Sequence, residues 1–253
     1  MTQEPSYADS YSKRFPDAVY NEGQRLQKAR KICAVLSDFL SHPLDGLRVL
    51  DLGCATGIIA NSMAPQFQTM IGTDIDMTAL AFASSTKGAN ALFMPADALH
   101  IPFRDEAFDI VICAHVYEHV RDPRKLMKEI RRVLRNKGVC FFSAGNGLQW
   151  IEPHYGLPLL SFLPRFLAHV YLRLLRRGFH YDEKHLTYWG LKRLVSGFQV
   201  FDYTLRIIED PAKYAATDVC TPGSIKQKLG KTISRMAYWL VPTYIFLLQK
   251  TEP

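Results

Sequence analysis
The chain has 253 residues, 48% of them hydrophobic and 22% charged, enough to bury a substantial core as a single α/β unit, and no internal repeat or low-complexity tract interrupts it. Five scattered cysteines (33, 54, 113, 140 and 220), odd in number and without C-x-x-C spacing, argue against a disulfide framework and for a reducing cytosol. The formal net charge of +7 suits acidic partners, namely anionic lipid, a phosphate-bearing substrate or nucleic acid.

In chain order, residues 1–30 are too polar for a signal peptide, and Gln24–Leu40 reads as a helix ahead of the first strand. The run Val49-Leu50-Asp51-Leu52-Gly53-Cys54-Ala55-Thr56-Gly57 then takes an apolar strand into a glycine-bearing loop that opens a helix at Ile58–Ala64. The loop lacks the G-x-G-x-x-G spacing of a dinucleotide site, and Asp51 stands just before the turn. A carboxylate there repels a pyrophosphate but suits a ligand with an ammonium and no phosphate. S-adenosylmethionine (SAM) is such a ligand.

A second apolar run, Thr69–Gly72, ends in Thr73-Asp74-Ile75-Asp76. Asp74 follows Asp51 at about the 20-residue spacing of a ribose-binding acid in a doubly wound sheet, and Asp76 is placed to cap a helix over Met77–Ser84. Ala91–Pro95 ends at Asp97, a further carboxylate at a strand edge, suited to an adenine amino group. Phe108–Ala114 is a continuous apolar strand. Asp122-Pro123 starts a helix over Arg124–Arg135 with Leu126, Ile130, Val133 and Leu134 inward. Asn136-Lys137-Gly138 stops it before a fifth strand, Val139–Ala144, while Phe198–Ile208 and Thr243–Gln249 are expected as strands six and seven.

Residues 148–197 are too long for a connection and read as helix-rich. No acidic residue falls between Pro153 and Tyr181. On a helix over Pro164–Arg177, Arg165, His169, Arg173 and Arg176 share one face, and Leu167, Val170 and Leu174 the opposite one. Two readings stand. Either residues 156–179 lie on an anionic membrane surface, or they form a lid that packs the apolar stripe on the core and leaves the arginines in water. Met236–Leu248 is uncharged but contains Pro242 and is shorter than the roughly 20 residues of a spanning helix, so it reads as helix end, turn and final strand.

With V-L-D-L-G-C-A-T-G, G-T-D-I-D, A-D-A-L-H-I-P-F, F-D-I-V-I-C-A, E-H-V-x-D-P and R-R-V-L-R-N-K-G-V, the chain resembles the class I SAM-dependent methyltransferases of the type 11 branch, densely over residues 46–146. The resemblance implies a Rossmann-like, doubly wound seven-stranded sheet whose antiparallel last strand lies between the fifth and sixth. It places Asp51, Gly53, Cys54, Ala55 and Gly57 around the methionine part, Asp74 and Ile75 at ribose and adenine, Asp97 and Ala98 at the adenine, and Ala114 on the floor. Ala55 replaces a glycine common in relatives, and its small side chain is expected to cost little. The N/D-P-P-Y/F/W stretch and the Pro-Cys pair of nucleic-acid methyltransferases are absent, since Cys113 follows Ile112, so nucleic acid is not the expected substrate.

A hydroxyl acceptor needs its proton removed, which suits histidine. His119, His154 and His115 are the expected bases, with His185 behind them. His115, Glu118 and His119 also align with the metal-binding triplet of ubiquinone-pathway O-methyltransferases, which usually have a carboxylate where this chain has His115. An ordinary loop with no obligate metal is the expectation here. The whole reads as one methyltransferase domain over 1–253: a helical cap (1–45), a SAM-binding core (46–147), a helical substrate lid (148–197) and the last strands with their helix (198–253). The expected reaction is O-methylation of a small or lipid-linked (glycan or isoprenoid-type) acceptor in the cytoplasm or at the inner membrane face. C-methylation of a quinone-type metabolite and a catalytically silent SAM-binding, membrane-docking protein are the alternatives. Asp51 and the missing third glycine disfavour a nicotinamide oxidoreductase.

Overall fold
The computed structural model describes residues 11–152, 155–178, 180–181 and 184–251. Five apolar runs form parallel strands: β1 (Arg48–Leu52), β2 (Thr69–Asp74), β3 (Ala91–Pro95), β4 (Phe108–Ala114) and β5 (Leu134–Gly145). A small hairpin, β6 (Ile151–Glu152) with β7 (Leu157–Pro158), stands apart from the sheet. β8 (Gln199–Asp202) and β9 (Thr243–Gln249) complete the order β3-β2-β1-β4-β5-β9-β8. β9 pairs antiparallel with both β5 and β8. The sheet is therefore the expected Rossmann-like one, with β8 and β9 as its sixth and seventh strands.

Because side chains alternate across a strand, each central strand feeds two cores. Val49, Ile110, Ile112, Phe141 and Leu247 face one side, under α3 (Glu22–Leu40), α4 (Ile58–Met63) and α9 (Thr204–Glu209). Leu50, Val111, Cys113, Phe142 and Phe246 face the other, under α6 (Pro123–Val133) and α8 (Tyr188–Leu194). Short polar side chains start the helices. Asn21 caps α3, Asp76 caps α5 (Met77–Ser85), and Asp122 caps α6, where Pro123 takes the first helical position. Such caps are worth about 1 kcal/mol each. Two short N-terminal helices, α1 (Tyr11–Arg14) and α2 (Pro16–Tyr20), precede α3.

Three expectations are corrected. The helix expected over Arg124–Arg135 ends at Val133, and Leu134 already pairs with Phe108. Asn136-Lys137-Gly138 lies within β5, where the register breaks and Lys137 adopts φ 61°. The strand expected over Phe198–Ile208 stops at Asp202, whose Oδ1 accepts from Thr204 N at 2.9 Å. Thr204 Oγ1 accepts from Ile245 N at 2.9 Å, so a side chain takes over the ladder and the backbone turns into α9.

The insert is less helical than expected. It holds the β6–β7 hairpin, one 3₁₀ turn (Leu160–Phe162), α7 (Arg165–Leu174) and α8. α7 ends short of Arg177 because Arg176 turns into the left-handed region at φ 54°. Its buried residues are Ala168 and Leu172, which join Tyr155, Leu157, Leu160 and Tyr181 in a satellite cluster touching Phe15. Leu167, Val170 and Leu174 remain exposed, so this stripe does not pack on the core. Met236–Leu248 comprises the end of α10 (Ile225–Met236), a 3₁₀ turn (Tyr238–Leu240) and β9, in the order expected. Among the described residues no helix is long and apolar enough to cross a membrane.

Candidate active site
The carboxyl ends of β1, β2, β3, β4 and β5 open into one cavity of about 1280 Å³, at the switch point where open α/β sheets take their ligands. Typical single-ligand pockets span ~300–1,000 Å³, so the cavity has room for a methyl donor and an acceptor together.

The loop after β1 is shaped by backbone geometry. Gly53 and Gly57 both adopt φ 68°, and a Cβ on Gly57 would lie 2.6 Å from Ala83 Cβ and 2.7 Å from the Phe93 ring. Gly53 N and Cys54 N donate to Thr73 O at 2.8 and 3.0 Å, tying the loop to β2. Ala55 adopts φ 47°. The expectation that alanine costs little there is therefore corrected, because its Cβ sits in the left-handed region.

Of the residues expected at the cofactor, Gly53, Ala55, Asp74, Ile75, Asp97, Ala98 and Ala114 line the cavity. Asp51, Cys54 and Gly57 do not line the cavity. Asp74 accepts from Ala55 N (2.7 Å) and Asp76 N (2.9 Å), which fix its carboxylate on the cavity wall. Burial raises its carboxyl above the ordinary value despite those bonds. Asp51 is pushed up to about 7, chiefly by burial; Arg25 opposes that rise and Asp74 adds to it. Asp97 accepts from Leu99 N at 2.8 Å and pairs with His100 at 3.0 Å within its own turn.

Of the cavity residues outside the sequence expectations, two have a buried side-chain nitrogen without a partner among the described residues. Arg25, on α3, faces the fields of Asp51 and Asp74, and its buried Nε has no hydrogen-bond partner among the described residues. A signal was readable: Arg25 continues the stripe of buried Ala29, Ile32 and Leu36 at helical spacing. Gln149 is the other; it is buried, lines the cavity, and its Nε2 has no partner among the described residues. The N-terminal helices close one wall. Ser12 N donates to Asp76 Oδ2 at 2.7 Å, and Thr56 Oγ1 donates to Val19 O at 2.6 Å.

At the end of β4, on the cavity wall, His115 adopts φ 61°, an uncommon conformation for a non-glycine residue. Its Nδ1 lies 3.0 Å from Glu118 Oε1 and its Nε2 lies 3.2 Å from Ser143 Oγ. Burial pushes Glu118 up, but the hydrogen bond from His115 and the charges of His115, His119 and His185 carry it below the ordinary carboxylate value. Three of the expected histidines thus surround one buried carboxylate. His119 lines the cavity with its ring 5.1 Å from that of Tyr11. His185 is buried 3.8 Å from Glu152. His154 lies outside the described residues. Among the described residues no group of three or more His, Cys, Asp or Glu is arranged to hold a metal ion. Burial raises the thiols of Cys54, Cys113 and Cys140 far from a reactive thiolate.

The donor set fits SAM: carboxylates at the ends of β2 and β3, a cation at the loop end, and no phosphate-binding glycine spacing. Residues 50–142 match a family model described as a methyltransferase domain. Over 193 residues the chain is 30% identical to the uncharacterized methyltransferase YcgJ of Bacillus subtilis, covering 75% of this chain and 68% of that protein. The chain is a class I SAM-dependent methyltransferase.

This methyltransferase is also 29% identical to a ubiquinone biosynthesis O-methyltransferase of Rhizobium etli, over 65% of its own length and 64% of the relative's. It spans about two thirds of the length of these relatives. A SAM-dependent methyltransferase from Methanosarcina mazei shares the fold, with a TM-score of 0.55 and 17% identity over 87% of this chain and 98% of that one.

Proposed function
We propose that this methyltransferase transfers the methyl group of SAM to a hydroxyl oxygen of a small or lipid-linked acceptor, with His115 as the base. The observation that carries the reading is the His115–Glu118 pair on the cavity wall. SAM supplies an electrophilic methyl carbon on a sulfonium. The chain's own work is positioning and proton removal. Glu118, ionised and buried, accepts the Nδ1–H of His115, so Nε2 is the nitrogen that accepts, and Ser143 Oγ occupies it at 3.2 Å in the free protein. The acceptor hydroxyl takes the place of Ser143 Oγ against that nitrogen. As the acceptor oxygen bonds to the methyl carbon, its proton passes to Nε2, a transfer worth roughly 10²–10⁴ in rate.

For the donor, Arg25 is assigned to the carboxylate of the amino-acid part, Asp51 to the field favouring its ammonium, Asp74 to the ribose hydroxyls and Asp97 to the adenine. The buried Arg25 Nε, without a partner among the described residues, and the place of Asp74 on the cavity wall support these roles. Relatives named as O-methyltransferases support the hydroxyl acceptor. The exposed stripe of Leu167, Val170 and Leu174, on a helix whose other face carries Arg165 and Arg173, supports a lipid-linked acceptor reached at the inner membrane face.

The test is methyl-labelled SAM incubated with the protein and a cell extract, followed by phase partition. Label in the organic phase supports the lipid-linked acceptor, and label confined to aqueous metabolites overturns it. Label that stays on carbon through hydriodic acid, which releases O-methyl groups as methyl iodide, would overturn O-methylation itself. His115→Gln is expected to lose about 10² in kcat while still binding SAM.

A further inference from the structure
α10 is turned inside out. A surface helix ordinarily buries its apolar stripe and exposes its polar face. In α10 the buried residues are Gln227 and Ser234, while Ile225 is 84% exposed, Met236 is 82% exposed, and Leu229 and Ile233 are also in solvent. At about 100° per residue, these four apolar residues stand opposite Gln227 and Ser234. The inward seam is polar and specific. Gln227 Nε2 donates to Ile208 O and Glu209 O at 3.0 and 3.1 Å, and its Oε1 accepts from Gly223 N at 2.8 Å. The helix is therefore held in this orientation by hydrogen bonds to the end of α9, and the exposed apolar face follows from that anchoring.

Charge identifies what the face meets. Lys226 lies on one shoulder of the apolar face, and Lys228 and Arg235 on the other. The sequence has no Asp or Glu from residue 219 to 251. Arg235 is paired with Glu209 of α9 at 3.9 Å, which leaves Lys226 and Lys228 as the cations beside the face without an ion pair among the described residues. An apolar face that carries no acid of its own and is flanked by these lysines fits the boundary between headgroups and acyl chains of an anionic bilayer, with the lysine stems reaching back to the phosphates. The end of α10 carries a suitable anchor: the rings of Trp189 and Trp239 stack at 5.8 Å, both exposed, and tryptophan favours that boundary.

We infer that α10 is a membrane-docking helix that lays Ile225, Leu229, Ile233 and Met236 into an anionic bilayer surface. The inference deepens the lipid-linked reading above, on which its purpose rests. α10 leads through Tyr238–Leu240 directly to Pro242 and Thr243 on the cavity rim. Trp239 O accepts from Asn146 Nδ2 at 2.8 Å, fixing the turn to the end of β5. Docking through α10 therefore holds the rim of the acceptor cavity against the lipid surface.

The experiment is co-sedimentation of the intact protein with phosphatidylcholine vesicles, with and without phosphatidylglycerol. Binding is expected only to the anionic vesicles. The triple replacement Ile225→Ser, Leu229→Ser, Met236→Ser is expected to weaken it by about tenfold or more, and Lys226→Glu with Lys228→Glu to abolish it. SAM binding and circular dichroism check that these surface variants fold. Leu229→Trp adds a second readout, a blue shift of its emission on anionic vesicles. An unshifted Leu229→Trp, or a triple variant that binds like the parent while Phe166→Ser with Leu174→Ser does not, overturns the inference for α10 and leaves the insert as the docking element. A parent protein that never sediments overturns both, whereas SAM turnover on a soluble acceptor would survive. Loss of a concentration-dependent dimer in the triple variant, without vesicle binding by the parent, would reassign the face to a second copy.

Discussion
The Nδ1 atom of His115 lies 3.0 Å from Oε1 of Glu118, a carboxylate whose side chain has no exposed surface. A buried carboxylate facing a ring N–H selects one imidazole tautomer. Glu118→Gln replaces the acceptor with an amide that can present either end and removes the charge that stabilises a protonated ring. kcat is expected to fall by about 10² with SAM affinity unchanged. The folded value of Glu118 is lowered, so its contribution to stability is present above the ordinary carboxylate range and disappears as pH falls through the folded value. The stability gap between the parent and Glu118→Gln is therefore expected at pH 7 and should close on acidification, read from urea midpoints across pH. A variant with parental kcat would remove His115 and Glu118 from the chemistry.

Asp51 titrates the opposite way. Its folded value is raised to about 7, so the stability attached to its neutral form is full below the ordinary carboxylate range and is lost as pH rises through 7. The free protein should lose stability between about pH 4 and 7, and Asp51→Asn should flatten that slope. A cationic donor near Asp51 favours the carboxylate. SAM affinity is therefore expected to rise roughly tenfold from pH 6 to pH 8 in the parent and to stay flat in Asp51→Asn. Calorimetric titration at both pH values decides it, and a flat parental profile would place the donor's charge away from Asp51.

Arg25→Met keeps the bulk and the helix propensity of the residue while removing its charge. A hydrogen-bonded charge pair is worth about 1.5–3 kcal/mol, so the dissociation constant for SAM should rise by at least about tenfold. Adenosine, which lacks the amino-acid part, should bind the variant as it binds the parent. Equal losses for both ligands would mean that Arg25 shapes the cavity instead of meeting the carboxylate.

What was legible in the sequence follows from how local the cause is. The strands were readable because continuous apolar runs such as Phe108–Ala114 need no partner to be recognised, and Asp76 and Asp122 cap helices through bonds two and three residues away. Strand six was misread because its ending depends on Thr204 bonding to Ile245, far along the chain. The amphipathic pattern of α7 was visible, but the buried face was not. Ala168 and Leu172 win through a cluster assembled from Tyr155, Leu160 and Tyr181, and the longer aliphatic stripe stays outside. Arg25 escaped for the same reason: only the fold shows that its stripe ends at the cavity holding Asp51 and Asp74.

Ala55 and Gly57 set two adjacent tests of the cofactor loop, with opposite signs. Both adopt left-handed backbone, at φ 47° and 68°. At residue 55 the native side chain already carries the strain of roughly 1–2 kcal/mol. Ala55→Gly relieves it and returns about 0.4–1 kcal/mol of unfolded-state entropy, leaving a net stabilisation of roughly 0.5 kcal/mol and a slightly higher Tm. At residue 57 the same strain would be introduced together with a collision, because the new Cβ would meet Ala83 and Phe93 at 2.6 and 2.7 Å. Phe93 is held on β3, whose register with β2 pairs it with Gly72, so it has little room to yield. Gly57→Ala is expected to cost about 2–4 kcal/mol, the sum of backbone strain and overpacking. Urea unfolding of the two variants measures the contrast. A destabilised Ala55→Gly beside a tolerated Gly57→Ala would contradict the loop geometry on which the donor site is built.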